Sequence, residues 1–406
     1  MQVGDDRLVA ILAAGLGPDV TAPLAVAVSG GGDSMALLHL LHRMGRVAGA
    51  VTVNHGLRPA AADEAAMVAQ VCAALCVPHD TLHWSGPAPV GNLMDQARRA
   101  RLSLIAEWGR GRGLGHVALG HTADDQAETF LMELARKAGL DGLSGMRRSW
   151  AQDGVIWLRP LLAAGRAELR GYLRRHGVSW AEDPTNDDPA YARVRARQAL
   201  AALGPLGITV EGLATVAGHL EASRAALDVT LQAALHGIVR EGAGALMVDR
   251  AGFRRLPHDL QRRLLATTLG WVSGSPYPPR ADALDRLVAA ILQTRVATLA
   301  GCRVAGDTDQ VRILREAKAA GGPAPVGRVW DHRWLVEGPP GTVRALGPKG
   351  LPQVKGWRAL GISRDTLLVS PAVWDGDTLL AAPVAGMESG WKARIVAPFH
   401  RFPVSD

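Results

Sequence analysis

A glycine-rich turn flanked by hydroxyl side chains is the part of this sequence whose residue types point most directly to chemistry. Residues 29–34 read Ser-Gly-Gly-Gly-Asp-Ser, after an apolar run at 23–28 typical of a buried parallel strand and before an apolar-striped helix at 35–42. Such a turn directs backbone N–H groups and a helix dipole at one anion, and glycines let a phosphate approach closely. The alternative is an ordinary glycine-rich turn that starts a helix.

The acidic residue in this turn predicts a cation as well as a phosphate. Asp33 would repel a phosphate unless a cation lay between them, and Mg²⁺ is the expected cation. The pattern is not the Walker motif, which needs Gly-Lys-Ser/Thr, nor the dinucleotide fingerprint, whose glycines are spaced. The predicted phosphate donors are two hydroxyls and three backbone amides, from Ser29, Ser34, Gly30, Gly31 and Gly32.

A second stretch, residues 120–129, carries a histidine and paired carboxylates. It reads Gly-His-Thr-Ala-Asp-Asp-Gln-Ala-Glu-Thr, leaves a predicted strand and opens a predicted helix. Asp125 and Glu128 share a helical face, so their repulsion calls for a cation, either Mg²⁺ or an amine substrate. An acidic first turn that complements the helix dipole is the alternative. The neighbouring His121 and the upstream glycine turn favour the cation site.

A third stretch is basic. The predicted helix at 93–110 carries Arg98, Arg99 and Arg101, of which Arg98 and Arg101 lie on one face. Contact with RNA or with an ATP phosphate is one interpretation of this face. A solvated basic helix is the other, and the sequence leaves both open.

The elements that carry these residues alternate between strands and helices. Strands are predicted at 48–53, 79–84, 114–120 and 155–162, and helices at 60–77, 93–110, 123–136 and 166–176. Strands that alternate with helices of this length indicate an α/β fold with a doubly wound parallel sheet. Ligands bind at the carboxyl ends of such strands, where Ser29, His55 and His121 all fall. We therefore expect one shared site.

The residue pattern of the rest of the chain changes twice. Gly204 and Pro205 form an expected boundary, the pattern from 210 to 293 is helical, and short apolar runs with many Gly and Pro follow from about residue 298. We predict an α/β domain at 1–204, a helical domain at 205–295 and a small β-containing module at 296–406. Both later parts are expected to contact a macromolecular partner.

Composition limits the partners and the location. The net charge is +7, and most of the basic residues are Arg. This excess favours an acidic partner such as RNA, although a genome whose composition favours Arg codons would give it without any such partner. Three cysteines form no Cys-x-x-Cys pair. The sequence starts without a basic leader and has no long uncharged apolar stretch, so we expect no membrane span and a cytoplasmic protein.

Several stretches together resemble a known family. The turn resembles the PP-loop of the ATP pyrophosphatases, and the order of segments is similar to that of tRNA(Ile)-lysidine synthetases. The segments at 139–146, Gly-Leu-Asp-Gly-Leu-Ser-Gly-Met, and 182–187, Glu-Asp-Pro-Thr-Asn-Asp, are the most specific. The matching segments lie at 29–34, 53–58, 96–101, 121–129, 139–146, 159–162 and 182–187.

The resemblance implies an adenine nucleotide α-hydrolase-like fold and an ATP-dependent ligase. ATP would adenylate the C2 oxygen of the wobble cytidine in the CAU anticodon of an isoleucine tRNA, with release of pyrophosphate. The ε-amine of free lysine would then displace AMP and give lysidine. The implied cofactors are ATP and Mg²⁺, the implied partners are this tRNA and free L-lysine, and a homodimer is left open.

The resemblance also implies roles for individual residues. Asp33 would position Mg²⁺, with Asp125 as a second metal ligand or, with Glu128, as a ligand of the cationic lysine. His121 would lie at the reacting centre and assist deprotonation of the amine. Further members of the implied site match positions that contact ATP or the adenylated intermediate: Ser29, Gly30, Gly31, Gly32, Ser34, His55, Arg101 and Arg193.

Three departures and two alternatives accompany this prediction. Asn54 stands where many members have Asp or His, Leu102 where many have Tyr, and Val194 where many have Asn. The departure at Val194 lies next to Arg193 and weakens the assignment of Arg193 to the site. An RNA thiolase built on the same turn is one alternative, and it would need catalytic cysteines or an iron–sulfur cluster. A non-catalytic RNA-binding protein is the other, and in it Asp33, Asp125 and Glu128 would be dispensable.

Overall fold

The computed structural model describes residues 3–56, 60–84, 93–182, 188, 190–275 and 277–402. Its contacts group the chain into two compact units, Met1–Arg224 and Ala225–Asp406. The predicted division after residues 204 and 295 into three domains stays a prediction. Of the resembling segments, residues 57–58 and 183–187 lie outside the described residues.

A six-stranded sheet forms the centre of the first unit. Its strands are β1 (Leu24–Ala27), β2 (Val47–Asn54), β3 (His79–His83), β4 (His116–Leu119), β5 (Ser149–Gln152) and β6 (Val155–Leu158). Their order is β3-β2-β1-β4-β6-β5, with all pairs parallel except that of β5 and β6. The predicted doubly wound parallel sheet is therefore confirmed, with one antiparallel strand added at its edge.

Helices cover both faces of this sheet. Leu24 and Val26 of β1 pack into one cluster with Leu38, whereas Ala25 packs on the opposite face with Ile105. Burial on both faces explains why β1 is apolar throughout rather than alternating. The helices that begin in this unit are α1 (Val3–Leu16), α2 (Gly32–Arg43), α3 (Ala60–Ala74), α4 (Leu93–Gly111), α5 (Ala123–Ala135), α6 (Leu140–Leu143), α7 (Arg166–Arg175), α8 (Ala192–Leu203) and α9 (Val210–Ile238).

The strand order changes direction beside β1. β2 lies on one side of β1 and β4 on the other, so the loops that follow β1 and β4 open away from each other and leave a crevice. The glycine-rich turn follows β1 and His121 follows β4. The fold therefore places both predicted motifs at one edge of the sheet.

One hairpin of the first unit was not expected. β5 and β6 are joined by a tight turn in which Asp153 and Gly154 have φ angles of 53° and 77°. The predicted strand at 155–162 ends at Leu158, before Pro160, whose ring removes a backbone donor. Trp150 and Trp157 stack across the hairpin with ring centroids 5.7 Å apart.

The second unit contains a five-stranded antiparallel sheet of order β7-β8-β11-β10-β9. The stretch predicted as a helical domain contains helices and also the hairpin β7–β8, and β8 pairs with β11 from beyond residue 295. Its elements are β7 (Val239–Gly242), β8 (Ala245–Asp249), α10 (Arg250–Arg255), α11 (His258–Ser273), α12 (Ala281–Leu292), β9 (Ala297–Leu299), β10 (Cys302–Gly306) and β11 (Gln310–Arg315).

The remaining chain forms two small antiparallel sheets, which confirms the predicted β-containing C-terminal part of the fold. Their orders are β12-β15-β16-β17 and β13-β14-β18. The elements are β12 (Ala324–Pro325), β13 (Val329–Trp330), β14 (Trp334–Glu337), β15 (Thr342–Ala345), α13 (Gly347–Gly350), α14 (Arg364–Leu368), β16 (Pro371–Asp375), β17 (Thr378–Ala381) and β18 (Lys392–Ile395).

Length and hydropathy bear on the predicted absence of a membrane span. Among the described residues, no single helix is long and apolar enough to cross a membrane. The pair Ala192–Leu206 and Val210–Ile238 passes the same test of length and composition only when both are taken together, and it is bent by 100°.

Candidate active site

The glycine-rich turn presents the N-terminus of α2. Gly30 has a φ of 87°, a backbone conformation that favours glycine, and the N-cap Gly31 is extended. No side chain of the described residues caps the helix, so its first-turn amides have no side-chain acceptor. An anion with several oxygens matches this arrangement, because the amides and the helix dipole point the same way.

The two serines hold the turn in shape. The Ser34 hydroxyl donates to Gly31 O at 2.9 Å and accepts from Ser29 N at 3.2 Å, and the two hydroxyl oxygens lie 3.2 Å apart. Ser34 is buried, whereas Ser29 is exposed. These bonds preorganise the turn within the chain, and the predicted contact of either hydroxyl with phosphate stays a prediction.

A segment from farther along the chain packs against the turn. Ala181 N donates to Gly30 O at 2.9 Å, and the indole of Trp180 lies 3.4 Å from where a Cβ on Gly32 would stand. Trp180 and Ala181, which lead into the segment at 182–187, therefore lie beside the glycines.

Gly120 brings the second motif into contact with the first. A Cβ at this position would lie 2.9 Å from both the Cα and the backbone N of Ser34, closer than real Cβ atoms come. The neighbours are backbone atoms of the first turn of α2, which cannot rotate away. Only glycine allows the end of β4 to pack here, and this contact sets His121 and α5 beside the turn.

Asp125 is part of the N-terminus of α5. Its Oδ2 accepts from Thr122 N at 2.9 Å and from the Thr122 hydroxyl at 3.0 Å, while Asp125 N donates to that hydroxyl at 3.4 Å. This is a capping box, with aspartate in the place usually taken by Glu or Gln. The helix start thus fixes the carboxylate, and one of its oxygens is already used.

The cation that the acidic residues require is supplied by the chain itself. Arg166 opens α7, and its guanidinium donates from Nε to Asp33 Oδ2 at 3.2 Å, from Nη2 to Asp125 Oδ1 at 3.2 Å and from Nη1 to Glu128 Oε1 at 3.1 Å. Its backbone N donates to Asp124 Oδ2 at 2.7 Å. Although burial alone lowers the pKa of Arg166, the surrounding carboxylates raise it above its ordinary value.

Sequence reasoning missed Arg166 as a site residue. The available signal was its position, because Arg166 follows β6 and so falls at the same sheet edge as the two motifs. The like charges of Asp125 and Glu128 predict a cation, for which the sequence suggests Mg²⁺ or an amine and not an arginine from a distant helix.

Helix α8 adds two further arginines to the acidic cluster. Arg197 donates from Nε to Glu128 Oε1 at 2.6 Å, and Arg193 Nη1 lies 3.9 Å from Asp125 Oδ1. Arg193, predicted to contact ATP or the adenylated intermediate, is 42% exposed and borders the carboxylates.

Two carboxylate oxygens in the cluster have unused acceptor capacity. Within the described part of the chain, Asp33 Oδ1 and Glu128 Oε2 are buried without a hydrogen-bond partner. Burial also raises the pKa of Asp33, with Arg166 opposing that shift and Asp125 adding to it. A cation ligand would satisfy both oxygens, since buried acceptors are normally paired.

The donor set fits Mg²⁺ only in part. The described residues contain no group of three or more His, Cys, Asp or Glu side chains arranged to hold a metal. Mg²⁺ commonly takes one or two carboxylates and completes its shell with water and substrate phosphate, which Asp33 beside the turn allows. Asp125 has both oxygens engaged by Thr122 and Arg166, so Asp33 fits the predicted metal role better.

His121 lies against another arginine. Its Nδ1 is 3.1 Å from Nε of Arg159, which also donates from Nη1 to Arg147 O at 2.8 Å. Burial, then the charge of Arg159, lower the pKa of His121 well below its ordinary value. Burial lowers the pKa of Arg159 to about 9, so its guanidinium stays charged at neutral pH.

The other predicted nucleotide ligands lie on the same cationic side. Burial lowers the pKa of His55, and the nearby charge of Arg101 lowers it further. Arg101 and Arg98 also lower the pKa of His121. The predicted residues therefore gather at one sheet edge, with an acidic side around Arg166 and a cationic side around His121.

Comparisons with known proteins agree with this geometry. A model of the PP-loop domain matches residues 7–203. The tRNA(Ile)-lysidine synthase of Ruegeria pomeroyi is 45% identical and aligns over 97% of this chain and 96% of its own length. The enzyme of the same name from Hyphomonas neptunium is 37% identical over 80% of this chain and 90% of its own.

A solved structure resembles part of the chain more distantly. The U34-tRNA thiolase NcsA from Methanococcus maripaludis, solved with its [4Fe-4S] cluster, covers 54% of this chain and 78% of its own length, with a TM-score of 0.47 and 16% identity. A likeness at that level says nothing about function.

Proposed function

This chain belongs to the tRNA(Ile)-lysidine synthase family, and on that premise we propose how its site works. The enzyme is an ATP-using ligase that modifies tRNA. It joins lysine to C2 of the wobble cytidine in the CAU anticodon of an isoleucine tRNA. ATP adenylates the C2 oxygen with loss of pyrophosphate, and the lysine ε-amine then displaces AMP.

The observation that carries this proposal is the contact between the two motifs. Gly120 sets the end of β4 against the first turn of α2, so a phosphate-binding turn and a three-carboxylate cluster share one crevice. An enzyme that transfers an amine to an adenylated oxygen needs both functions within reach of one atom.

The cationic side is assigned to ATP and the adenylated intermediate. The α2 amides at the turn hold phosphate oxygens, and Arg101 and Arg193 neutralise phosphate charge at the border of the site. His55 lies at the end of β2 beside Arg101, where it lines the nucleotide site. Mg²⁺, held by Asp33, would shield the phosphate charge from that carboxylate.

The acidic side is assigned to free lysine. Free lysine carries two ammonium groups, and Glu128 Oε2 is a buried acceptor without a partner among the described residues. Asp125 contributes charge while its oxygens hold the cap and Arg166. Because Arg166 already neutralises much of this cluster, lysine would bind by hydrogen bonds to defined oxygens rather than by net charge.

The direct test is transfer of radiolabelled lysine to tRNA in the presence of ATP and Mg²⁺. We expect incorporation into an isoleucine tRNA with a CAU anticodon, and none into the same tRNA carrying a GAU anticodon. Chelation of Mg²⁺ should abolish incorporation. If the wild-type chain transfers no lysine to the CAU tRNA, the proposed function is wrong.

A matched variant separates this function from the thiolase alternative. The free cysteines are Cys72, Cys76 and Cys302, and Cys72 and Cys302 are buried with pKa values raised by burial to about 11 and about 12. Buried thiols of raised pKa are poor nucleophiles. Replacement of Cys76, which is exposed, by Ala should leave lysine transfer unchanged. Assembly as a homodimer and a cytoplasmic location stay predictions.

A further inference from the structure

The contact between His121 and Arg159 determines what the histidine can do in the proposed reaction. We propose that Arg159 is a positioning residue that locks His121 in the tautomer protonated at Nε2. His121 then serves as a hydrogen-bond donor to an anionic oxygen of the adenylated intermediate or the leaving AMP, not as a general base. This inference rests on the proposed function and revises the expectation that His121 deprotonates the amine.

The first step concerns the ring nitrogens. Arginine has N–H donors and no acceptor, so the 3.1 Å contact from Arg159 Nε makes His121 Nδ1 the acceptor. A lone pair at Nδ1 puts the single proton of the neutral ring on Nε2. A protonated Nδ1 would instead direct an N–H at another N–H, and in the imidazolium form it would also place two cations in contact.

The second step concerns the rigidity of Arg159. Its Nη1 donates to Arg147 O at 2.8 Å, and its guanidinium lies 4.1 Å from the ring centroid of Trp150. Trp150 in turn stacks on Trp157. Arg159 is only 6% exposed and comes directly after β6. A side chain held on three sides cannot swing away to free Nδ1.

The third step concerns charge. Conversion of His121 to imidazolium would add a cation beside several others, so a base that must accept a proton is unfavourable here. Donation from Nε2–H requires no change of charge, and a neutral imidazole can polarise an oxygen in this way. The charged groups that lower the pKa of His121 come from three elements: Arg159 after β6, Arg98 and Arg101 on α4, and Arg193 on α8. Asp125 on α5 acts on Arg159, whose pKa it raises.

The proton lost by the lysine amine then has to go elsewhere. The C–N bond forms as the bond from C2 to the AMP oxygen breaks, and the amine releases its proton to an acceptor other than His121. Glu128 Oε2, an unpartnered carboxylate oxygen of the described site outside the assigned metal position, is the acceptor that the structure offers. His121 meanwhile stabilises the negative charge that grows on the departing phosphate oxygen.

The tautomer can be read directly by NMR on the full chain labelled with [¹⁵N]histidine. The His121 signals are identified by their loss in the H121Q variant. We expect a protonated Nε2 and an unprotonated Nδ1 across about pH 6 to about pH 8, since the ring stays neutral there. A protonated Nδ1, or titration of the ring within this range, would overturn the inference.

Paired substitutions test the donor role by activity. Gln places its amide N–H near the position of Nε2, whereas Asn places its amide near Nδ1. We expect H121Q to keep lysine transfer within about tenfold of wild type and H121N to lose about 100-fold, mainly in kcat. If H121Q and H121N lose activity equally, and both lack an acid limb that the wild-type pH profile shows, His121 acts as a base and the donor role is overturned.

Substitution of Arg159 tests the positioning role. In R159M, Nδ1 is released, so the His121 ring should titrate nearer its ordinary range in the NMR spectra. R159K, which keeps a donor and a charge, should restore part of the wild-type behaviour. Unchanged His121 signals in R159M would contradict the positioning role. The NMR readout needs neither tRNA nor lysine, so its failure differs from failure of the proposed function.

Discussion

Arg166 sets the charge balance of the site at the scale of single residues. One guanidinium contacts three carboxylates, of which Glu128 is fully buried and Asp125 nearly so. Without a central cation these groups would repel one another in a medium where charge is poorly screened. The arginine therefore holds the acidic side in shape before any substrate arrives.

Replacement of Arg166 by Met should destabilise the protein markedly. The change leaves buried carboxylates without their shared partner, and we expect a loss of about 3 kcal/mol in the free energy of unfolding, measured by urea titration. R166K keeps the charge but cannot bond all three carboxylates. Its free energy of unfolding should therefore lie between those of the wild type and R166M.

Arg170 on the same helix provides the matched control. Its ion pair with Glu182 is 3.9 Å long and partly exposed, so R170M should change the free energy of unfolding by less than about 0.5 kcal/mol. Equal stability of the Arg166 and Arg170 variants would show that Arg166 does not hold the carboxylates together.

Site features that depend on residues close together in the sequence could be predicted from it. Asp125 and Glu128 are three residues apart, so their shared face and their need for a cation were readable from spacing. The identity of that cation was not, because Arg166 lies 133 residues from Asp33 in the sequence. The proton state of His121 was equally hidden, since it depends on Arg159 from another strand end.

At the scale of elements, the close packing of β4 on α2 joins the two motifs. The contact depends on the missing side chain at Gly120, whose Cβ would collide with the Ser34 backbone. Because α2 carries the phosphate-binding amides and α5 the carboxylates, a shift here would change the distance between both sides of the site.

Replacement of Gly120 by Ala should therefore impair ATP binding and activity together. We expect a loss of about 1–3 kcal/mol in stability from overpacking, and a weaker affinity for ATP measured by calorimetry. Gly115, just before β4, has open space within 4 Å of where a Cβ would stand and no positive φ, so G115A is the control and should behave as wild type. Wild-type ATP affinity in G120A would refute the packing argument.

Element prediction followed periodicity and failed at short hairpins. The alternation of apolar strands and amphipathic helices gave the parallel sheet correctly, with small shifts at the ends of elements. The hairpins β5–β6 and β7–β8 were missed because β5 and β7 are largely exposed edge strands without an apolar run. Asp153 and Gly154 form a favoured two-residue hairpin turn that was a readable signal, whereas the second turn has Ala243 at positive φ, where Gly, Asn or Asp is expected.

At the scale of the whole molecule, the chain combines a PP-loop unit with a second unit of antiparallel sheets and helices. The net charge of +7 suits a tRNA substrate. Composition alone could not distinguish RNA binding from a general abundance of Arg that has nothing to do with a partner. The family assignment came from ordered segments spread over residues 29–187. Composition and periodicity supplied the fold class, whereas lysine and the anticodon came only from the resemblance.

The central claim is that one crevice has an ATP side and a lysine side. It is tested by measuring two steps in E128Q, pyrophosphate release from ATP with tRNA and transfer of labelled lysine. E133Q on the same helix is the control, because Glu133 pairs with the exposed Arg136 at the far end of that helix. We expect E128Q to keep pyrophosphate release while lysine transfer falls about 100-fold. Equal loss of both steps, or of neither, in a folded E128Q protein would contradict the account.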